Sequence, residues 1–186
     1  MSASNVTICN AALALLGEQT IASLDEPTNR ARLCKDLYEP ARQMLLRTHP
    51  WNCATKRVLL APLLDKPAFG YGAQFQLPDD FIRVQSVNAQ DYVIEGKNLL
   101  ASEPEIQLIY TYNNDNEASW DAMLIEGMSL LMAAKLAKAL TGSTTDADLR
   151  EAMLSQFLKR ARAVDGQEQP MMQIDPMNSG FLDVRY

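Results

Sequence analysis

Several residue types on which catalytic and metal-binding proteins depend are scarce in this sequence. Its 186 residues include one histidine, His49, and three cysteines, Cys9, Cys34 and Cys53, none of them in a Cys-x-x-Cys pair. An odd number of widely spaced cysteines predicts neither a zinc site nor a disulfide framework. We therefore expect three reduced, partly buried thiols in a protein made in a reducing cytoplasm.

The sequence also lacks a basic excess and a long apolar run. Its formal net charge of -6 argues against a general affinity for nucleic acid, which would need a surplus of Lys and Arg on one face. The most apolar segment, residues 120–140, is interrupted by Asp121, Glu126, Lys135 and Lys138, so it predicts a packed helix rather than a membrane span. No basic region precedes the short apolar stretch near the N-terminus, so we expect no ordinary signal peptide.

The composition that is present is typical of a globular domain of ordinary size. Apolar residues make up 47% of the chain and charged residues 22%, which is enough to bury a sizeable core. The apolar periodicity predicts two helices, several strands and two more helices. We expect a mainly α, α+β fold, in which a bundle of about four helices (residues 4–50 and 117–164) carries a small antiparallel sheet inserted at 51–112, followed by an extended C-terminal arm at 165–186.

The expected helix boundaries depend on capping residues. Ser4 is a suitable N-cap for helix one, and Gly17 stands where a left-handed residue would end that helix. Residues 25–27 are expected to open helix two, and Pro40 should kink this helix without breaking it, because the apolar stripe continues in phase. Thr145 is expected to cap helix four. The core-facing stripe of helix four is predicted to consist of Leu149, Met153, Phe157, Ala161 and Val164.

Between residues 51 and 112 the apolar period changes to that of strands. The clearest strand is residues 106–112, in which apolar and aromatic side chains alternate with neighbours on the other face. Gly96 and Lys97 separate two short apolar runs and predict a two-residue hairpin with the glycine at positive φ. We expect four to six short strands in all.

No set of residues has the spacing of an active site. His49 lies at the expected end of helix two, where a histidine commonly bonds to the last carbonyls, and no nucleophile is spaced to act with it. Asp79 and Asp80 follow a proline in a turn, where acidic residues are common for local hydrogen-bonding reasons. Residues 113–116 resemble a calcium loop but lack its glycine and its terminal glutamate. We therefore predict a non-enzymatic protein with no catalytic residue, no cofactor and no metal.

Three aromatic residues, Tyr38, Trp51 and Trp120, are predicted to be structural anchors. Tyr38 and Trp120 lie on the apolar stripes of their helices, and Trp51 separates helix two from the strands. Because of that position, we expect Trp51 to be a buried hinge between the bundle and the sheet.

The C-terminal arm combines many apolar residues with two prolines and two glycines. Such a segment cannot build its own core and usually lies against something else. We expect it to become ordered only on assembly, by docking on a partner, although packing against its own subunit is an open alternative. The docking residues would be Met171, Met172, Ile174, Met177, Phe181, Leu182, Val184 and Tyr186.

A distinctive set of residues spans the expected second half of helix two and the turn after it: Tyr38, Ala41, Arg42, His49, Pro50 and Trp51. Further stretches accompany this set, namely 29–34, 37–42, 45–54, 75–80, 83–84, 92–100, 109–112, 136–142 and 161–163. Together they resemble the tail tubular protein A-like family, which contains the head-to-tail adaptors of short-tailed phages and related prophages. The resemblance covers roughly residues 4–165, with Cys53 as a departure, because the family often carries an aromatic there.

The resemblance implies a structural protein of the virion rather than an enzyme. Family members form homo-oligomeric rings, usually twelve-fold, beneath the portal protein at the head–tail junction. Such a ring extends the DNA channel, lets duplex DNA pass without specific binding and carries a further tail or nozzle protein. By this resemblance residues 1–164 would be the adaptor domain, the arm would dock on the portal, and the chain would be synthesised in the bacterial host cytoplasm with no role for a membrane.

Three other functions are compatible with the same residues. The chain could be a head–tail connector subunit of a long-tailed phage, which shares a helical-bundle architecture, or a cytoplasmic enzyme whose site forms between subunits. A helical DNA-binding protein is the third alternative. The connection between the first two helices is too long for a helix-turn-helix motif, and nearby acidic residues offset the basic ones.

Overall fold

A computed structural model describes residues 3–168. Within this range four α-helices, α1 (Asn5–Leu15), α2 (Asn29–Thr48), α3 (Ala122–Thr141) and α4 (Thr144–Glu168), form a bundle, and six strands lie between α2 and α3 in the sequence. The expected mainly α fold with a β insertion is therefore confirmed. The strands are β1 (Thr55–Leu60), β2 (Ala73–Gln76), β3 (Phe81–Val87), β4 (Val93–Glu95), β5 (Asn98–Ala101) and β6 (Ile106–Tyr112).

Local sequence signals explain most of the helix ends. The Ser4 hydroxyl accepts a hydrogen bond from the backbone N–H of Thr7, and the Thr7 hydroxyl oxygen accepts one from the N–H of Ser4, which forms a capping box. Gly17 follows α1 with φ of 73°, and Gly142 ends α3 with φ of 69°, a left-handed conformation that glycine adopts without strain. Pro40 lies inside an unbroken α2, as predicted.

Two predicted helix starts are wrong by a few residues. Helix α2 begins after Thr28, whose hydroxyl accepts a hydrogen bond from the N–H of Ala31, because Glu26 instead closes the preceding loop by accepting from the N–H of Ala22. Helix α4 is capped by Ser143 rather than by Thr145. The Ser143 hydroxyl accepts from the N–H of Asp146 at 3.1 Å.

Helix α3 is the centre of the bundle and contacts α1, α2 and α4. Its wide apolar stripe is therefore covered on several sides, as expected from the sequence. Gly127 allows the closest of these approaches, because a Cβ atom at this position would lie 3.2 Å from Phe157 of α4 and 3.7 Å from Leu45 of α2.

The predicted core face of α4 is partly wrong. Leu149 is 54% exposed and Met153 43% exposed, although both belong to the predicted stripe. The side chains that pack against the core are Leu154, Phe157, Leu158 and Ala161, so Phe157 and Ala161 of the predicted stripe are confirmed. The side chain of Val164 is not among those that the structure describes. The helix also continues through residues 165–168, so its backbone extends past the expected start of the arm at 165.

The β insertion forms two three-stranded antiparallel sheets instead of the single sheet that the sequence predicted. The first has the order β1-β6-β3 and the second the order β2-β5-β4. Side chains from both sheets form one apolar cluster that is separate from the core of the bundle, so the sheets pack face to face. The hairpin between β4 and β5 turns through Gly96, at φ of 59°, as predicted. Tyr112, at the end of β6, packs against both clusters.

Candidate functional site

The three predicted anchors, Tyr38, Trp51 and Trp120, lie in one buried region where the bundle meets the β insertion. All three belong to the core cluster of the bundle, and none is more than slightly exposed. Two other segments meet there, the turn at 49–54 that leaves α2 and the connection at 113–121 that leads from β6 into α3. We call this region, with the side chains that cross it, the joint.

Trp51 is the most completely buried aromatic side chain of the joint. Its indole N–H donates to the carbonyl of Leu45 at 3.2 Å, and the edge of the ring system meets His49 with centroids 4.9 Å apart. The large ring fills the corner between α2 and the strands while its one polar atom remains bonded. His49 is itself buried, and its carbonyl accepts a hydrogen bond from the N–H of Trp51.

The connection from β6 to α3 is held by a buried asparagine. The Asn114 side chain donates to the carbonyl of Cys53 at 2.7 Å and to the hydroxyl of Ser119 at 2.9 Å, and its oxygen accepts from the N–H of Asn116. The indole N–H of Trp120 donates to the carbonyl of Asn114 at 3.3 Å. The segment that resembles a calcium loop is thus an internally bonded turn that connects the start of α3 to the turn at 49–54.

Arg42 crosses the joint from the other side, and its side chain is only 9% exposed. The guanidinium pairs with Glu39 one turn earlier, lies 3.9 Å from the carboxylate of Glu117, and donates from Nε to Asn113 at 3.2 Å. A guanidinium is suited to this position because it presents several donors in one plane to different acceptors. Because separating a buried guanidinium from its partners is costly, Arg42 holds α2 and the connection to α3 at a fixed distance.

The charges of the joint also perturb the ionisation of its neighbours. Burial, together with the nearby carboxylate of Glu117, raises the pKa of Tyr38, so the phenol stays neutral. Partial burial acts to raise the pKa of Glu39, but hydrogen bonds from Gln43 and Asn113 and the charge of Arg42 outweigh it and hold this pKa below its usual value.

Two arginines fasten α2 to the first sheet. Arg47, in the last turn of α2, donates to the carbonyl of Ile82 at 2.8 Å, and Arg83 of β3 donates to the carbonyl of Arg47, also at 2.8 Å. On the other face of this sheet, Asp80 accepts from the hydroxyl of Tyr110 and from Lys56. The carboxylate of Asp80 is therefore occupied by structural contacts.

The cysteines are free, and two of them meet in the core of the bundle. Cys9 of α1 and Cys34 of α2 are fully buried, and the contact with Cys34 together with burial raises the pKa of Cys9. Cys53 is half-buried, and its thiol donates to Asp121 at 3.4 Å. Burial, aided by the charge of Asp121, raises the pKa of Cys53 to about 11, so this thiol is a poor nucleophile.

The polar groups of the joint are used in contacts that hold the structure together. Its carboxylates are paired or hydrogen-bonded, the side chains of Asn113 and Asn114 are bonded to neighbouring groups, and its thiol is held in the protonated form. Within residues 3–168 no group of three or more His, Cys, Asp or Glu side chains is placed to hold a metal ion. In the same range no helix has the length and apolar character needed to cross a membrane.

Apolar side chains that point to solvent are concentrated on the β insertion. In the loop between β1 and β2, Leu64 is fully exposed and Phe69 is 88% exposed. Leu59 of β1 and Ile94 of β4 are also exposed, at 63% and 41%. A groove of about 400 Å³ lies across the first sheet and is lined by residues of β1, β3 and β6, among them Arg57 and Leu59. Seven of the ten large exposed apolar side chains in the described residues belong to this insertion.

The predicted docking residues of the arm, Met171 to Tyr186, lie outside the described residues. Sequence reasoning identified the three aromatic anchors but missed the buried Arg42 and Asn114, and the half-buried Asn113, as parts of the same joint. The signal available for Arg42 was its place within the α2 stripe, one turn from Leu45 and next to Ala41. No family model matches the chain, and no curated protein matches it either.

Proposed function

We propose that this protein is a structural, non-enzymatic head-to-tail adaptor of the tail tubular protein A-like kind. The observation that carries the proposal is where the residues of the most specific resemblance lie. Tyr38, Arg42, His49 and Trp51 come from a stretch of fourteen residues in the sequence, and all four are buried in the joint. The resemblance thus involves a functional part of the fold, its internal support, rather than scattered surface positions.

A rigid joint is what an adaptor of this kind requires. A ring subunit must hold one surface against the portal and another against the tail at a fixed separation while DNA moves through the channel. The joint provides this because Arg42 and Trp51 connect α2, the first strand and the entrance to α3 by direct bonds and close packing. A flexible hinge there would let the two surfaces move independently.

The exposed apolar residues of the β insertion support an assembly role. Leu64 and Phe69 on the β1–β2 loop have no core to join within residues 3–168, and a monomer gains nothing in stability by exposing them. In the proposed particle such side chains contact neighbouring subunits, the portal protein or a further tail or nozzle protein. The ring is a homo-oligomer, twelve-fold as in the family, at the head–tail junction of the virion.

The decisive experiment measures the mass of the particle formed with the portal. The purified chain is mixed with portal rings from the phage or prophage that encodes it, and the product is weighed by native mass spectrometry and imaged by electron microscopy. A portal carrying a ring of chains supports the proposal. A portal that stays bare, with the chain recovered as a small dimer whose melting temperature rises with a metabolite, contradicts it and indicates an enzyme.

The arm can be tested in the same assay. Because α4 continues to Glu168, the truncated chain should end there and not at Val164, so that the helix remains whole. We expect this chain to keep its melting temperature and to lose portal binding, since the arm residues are proposed to dock on the portal. A full-length variant with Phe181→Ser and Leu182→Ser is the matched control for chain length. If the truncated chain unfolds instead, the arm belongs to its own core.

A further inference from the structure

The two small sheets have four outer edges, those of β1 and β3 in one sheet and those of β2 and β4 in the other. An open edge presents a row of unpaired N–H and C=O groups, which is a ready template for a strand from another chain. Natural proteins block edges that must stay free, by bulges, covering loops or charges. The state of each edge therefore indicates which of them is available for assembly.

Two of the four edges are blocked. The pairing of β3 with β6 shifts register twice, between Phe81 and Arg83 and between Val84 and Ser86, and such bulges disrupt the row of backbone groups. The edge of β2 is covered by the β1–β2 loop, in which the N–H of Leu63 donates to the carbonyl of Gln74 at 2.8 Å.

The other two edges, those of β1 and β4, are open. All six residues of β1 pair with β6 without a register shift, and all three residues of β4 pair with β5. Across the described residues, 3–168, no strand lies on the other side of β1 or of β4. Both open strands also expose apolar side chains, Leu59 on β1 and Val93 and Ile94 on β4.

The two open strands carry opposite charges. Strand β1 contains two basic residues and no acidic one. Lys56 is already paired with Asp80, but in the described range no carboxylate lies within ion-pair distance of Arg57, so Arg57 supplies the free positive charge of this edge. Strand β4 ends in Glu95 and follows Asp91, and both side chains are exposed. Each strand therefore offers an edge with exposed apolar side chains and charge of one sign. The two signs are opposite, so the edges of β1 and β4 are complementary.

We propose that β4 of one copy pairs with β1 of the next copy, so that the two sheets of neighbouring subunits join edge to edge; this rests on the proposed ring. Pairing of β1 with β1, or of β4 with β4, brings charges of one sign into the same interface and offers no attraction between opposite charges. Only the unlike pairing brings Arg57 to Glu95. An interface between two different surfaces repeats around a ring, whereas a like-with-like contact stops at a dimer.

The test is a charge exchange in the free chain, followed by sedimentation equilibrium over a concentration series that reaches millimolar. Arg57→Glu and Glu95→Lys should each weaken self-association about tenfold, because each replaces one attraction by a repulsion. The double variant should return to within about threefold of the wild type, because the exchanged charges again attract. Ile94→Lys should weaken association at least tenfold by placing a charge in the apolar edge, as natural edge strands do.

Leu149→Lys is the control, because it places the same charge at an exposed apolar residue of α4, outside both strands and outside the β insertion. Thermal melts of all variants exclude loss of the fold as the cause. The proposal is overturned by a wild-type chain that stays monomeric throughout the series, by single variants that match the wild type, or by a double variant as weak as the singles. This test uses the free chain without the portal, so its outcome is independent of the portal-binding experiment. If the chain self-associated through these strands but left the portal bare in that other experiment, only the adaptor function would be overturned.

Discussion

The joint and the outer rim of the β insertion, two regions of the same chain, use polar and apolar residues in opposite ways. At the joint a full guanidinium, that of Arg42, is buried beside aromatic rings. At the rim, Leu64 and Phe69 face solvent. A buried charge persists only where several partners hold it, and an exposed apolar side chain is useful only where something covers it. The first pattern therefore identifies internal support, and the second marks the side chains that the proposed assembly would cover.

Removing the ring of Trp51 should produce the largest difference in stability between a variant of the joint and a variant of the rim. We expect Trp51→Ala to lower the free energy of unfolding by about 3–5 kcal/mol, because a fully buried indole leaves a large cavity. Leu64→Ala, at the rim, should leave the melting temperature unchanged. Chemical denaturation of both variants makes the comparison. Equal stability of Trp51→Ala and wild type would show that the joint is not a support.

The second prediction concerns the buried charge. Arg42→Met should cost about 2–3 kcal/mol, because Glu117 and Asn113 lose a partner inside the joint. Lys35→Met removes an ion pair of similar geometry, with Asp25, that lies in solvent, and it should have no measurable effect. Urea denaturation at neutral pH measures both. If the two variants behaved alike, burial would not be what gives Arg42 its importance.

A third variant tests the packing of the bundle next to the joint. Gly127→Leu should destabilise by about 1–3 kcal/mol, because the added side chain must displace Phe157 and Leu45. Ala139→Leu makes a related change at an exposed position of the same helix and should be close to neutral. A thermal melt distinguishes them. Unchanged stability of Gly127→Leu would mean that α4 can move away from α3 at little cost.

The smallest expected effect is a pH dependence that originates in the joint. Because the pKa of Glu39 is lower in the folded protein than its usual 4.5, its ionised form stabilises the fold above that value, and this contribution is lost as the pH falls through the folded pKa. Glu39→Gln should therefore differ most from the wild type near neutral pH and least in acid. Unfolding free energies at several pH values between neutral and acid measure this. A difference that grew in acid would contradict the assigned direction.

Much of the fold could be predicted because its signals are local. Ser4, Gly17 and Gly96 act through their own backbone geometry or through neighbours three residues away, so a sequence pattern is sufficient. The division of the strands into two sheets was not predictable in this way. It depends on which distant strands pair, and short alternating strands are equally compatible with one sheet or two.

The core face of α4 was mispredicted for a related reason. Leu149 and Met153 lie on one helical stripe, and Leu154 and Leu158 on another, and both stripes satisfy the same spacing. Only the contact with α3 decides between them. Similarly, Arg42 could be placed on α2 from the sequence, but its burial depends on Glu117 and Asn113, which lie more than seventy positions later. Charged residues are normally exposed, so propensity alone would not place Arg42 in the interior.

The bond between Asn114 and the carbonyl of Cys53 joins two residues that are 61 positions apart in the chain. The polypeptide thus leaves the helices and returns to them at the same place. From an evolutionary point of view, the segment between Cys53 and Asn114 is a cassette, because its two ends are already held together by this hydrogen bond. The free-energy cost of closing a loop rises only by about 0.6 kcal/mol for each doubling of its length. A longer or shorter cassette can therefore replace this one without redesign of the helices. Relatives built on the same bundle could therefore reach partners of quite different size by exchanging this segment alone.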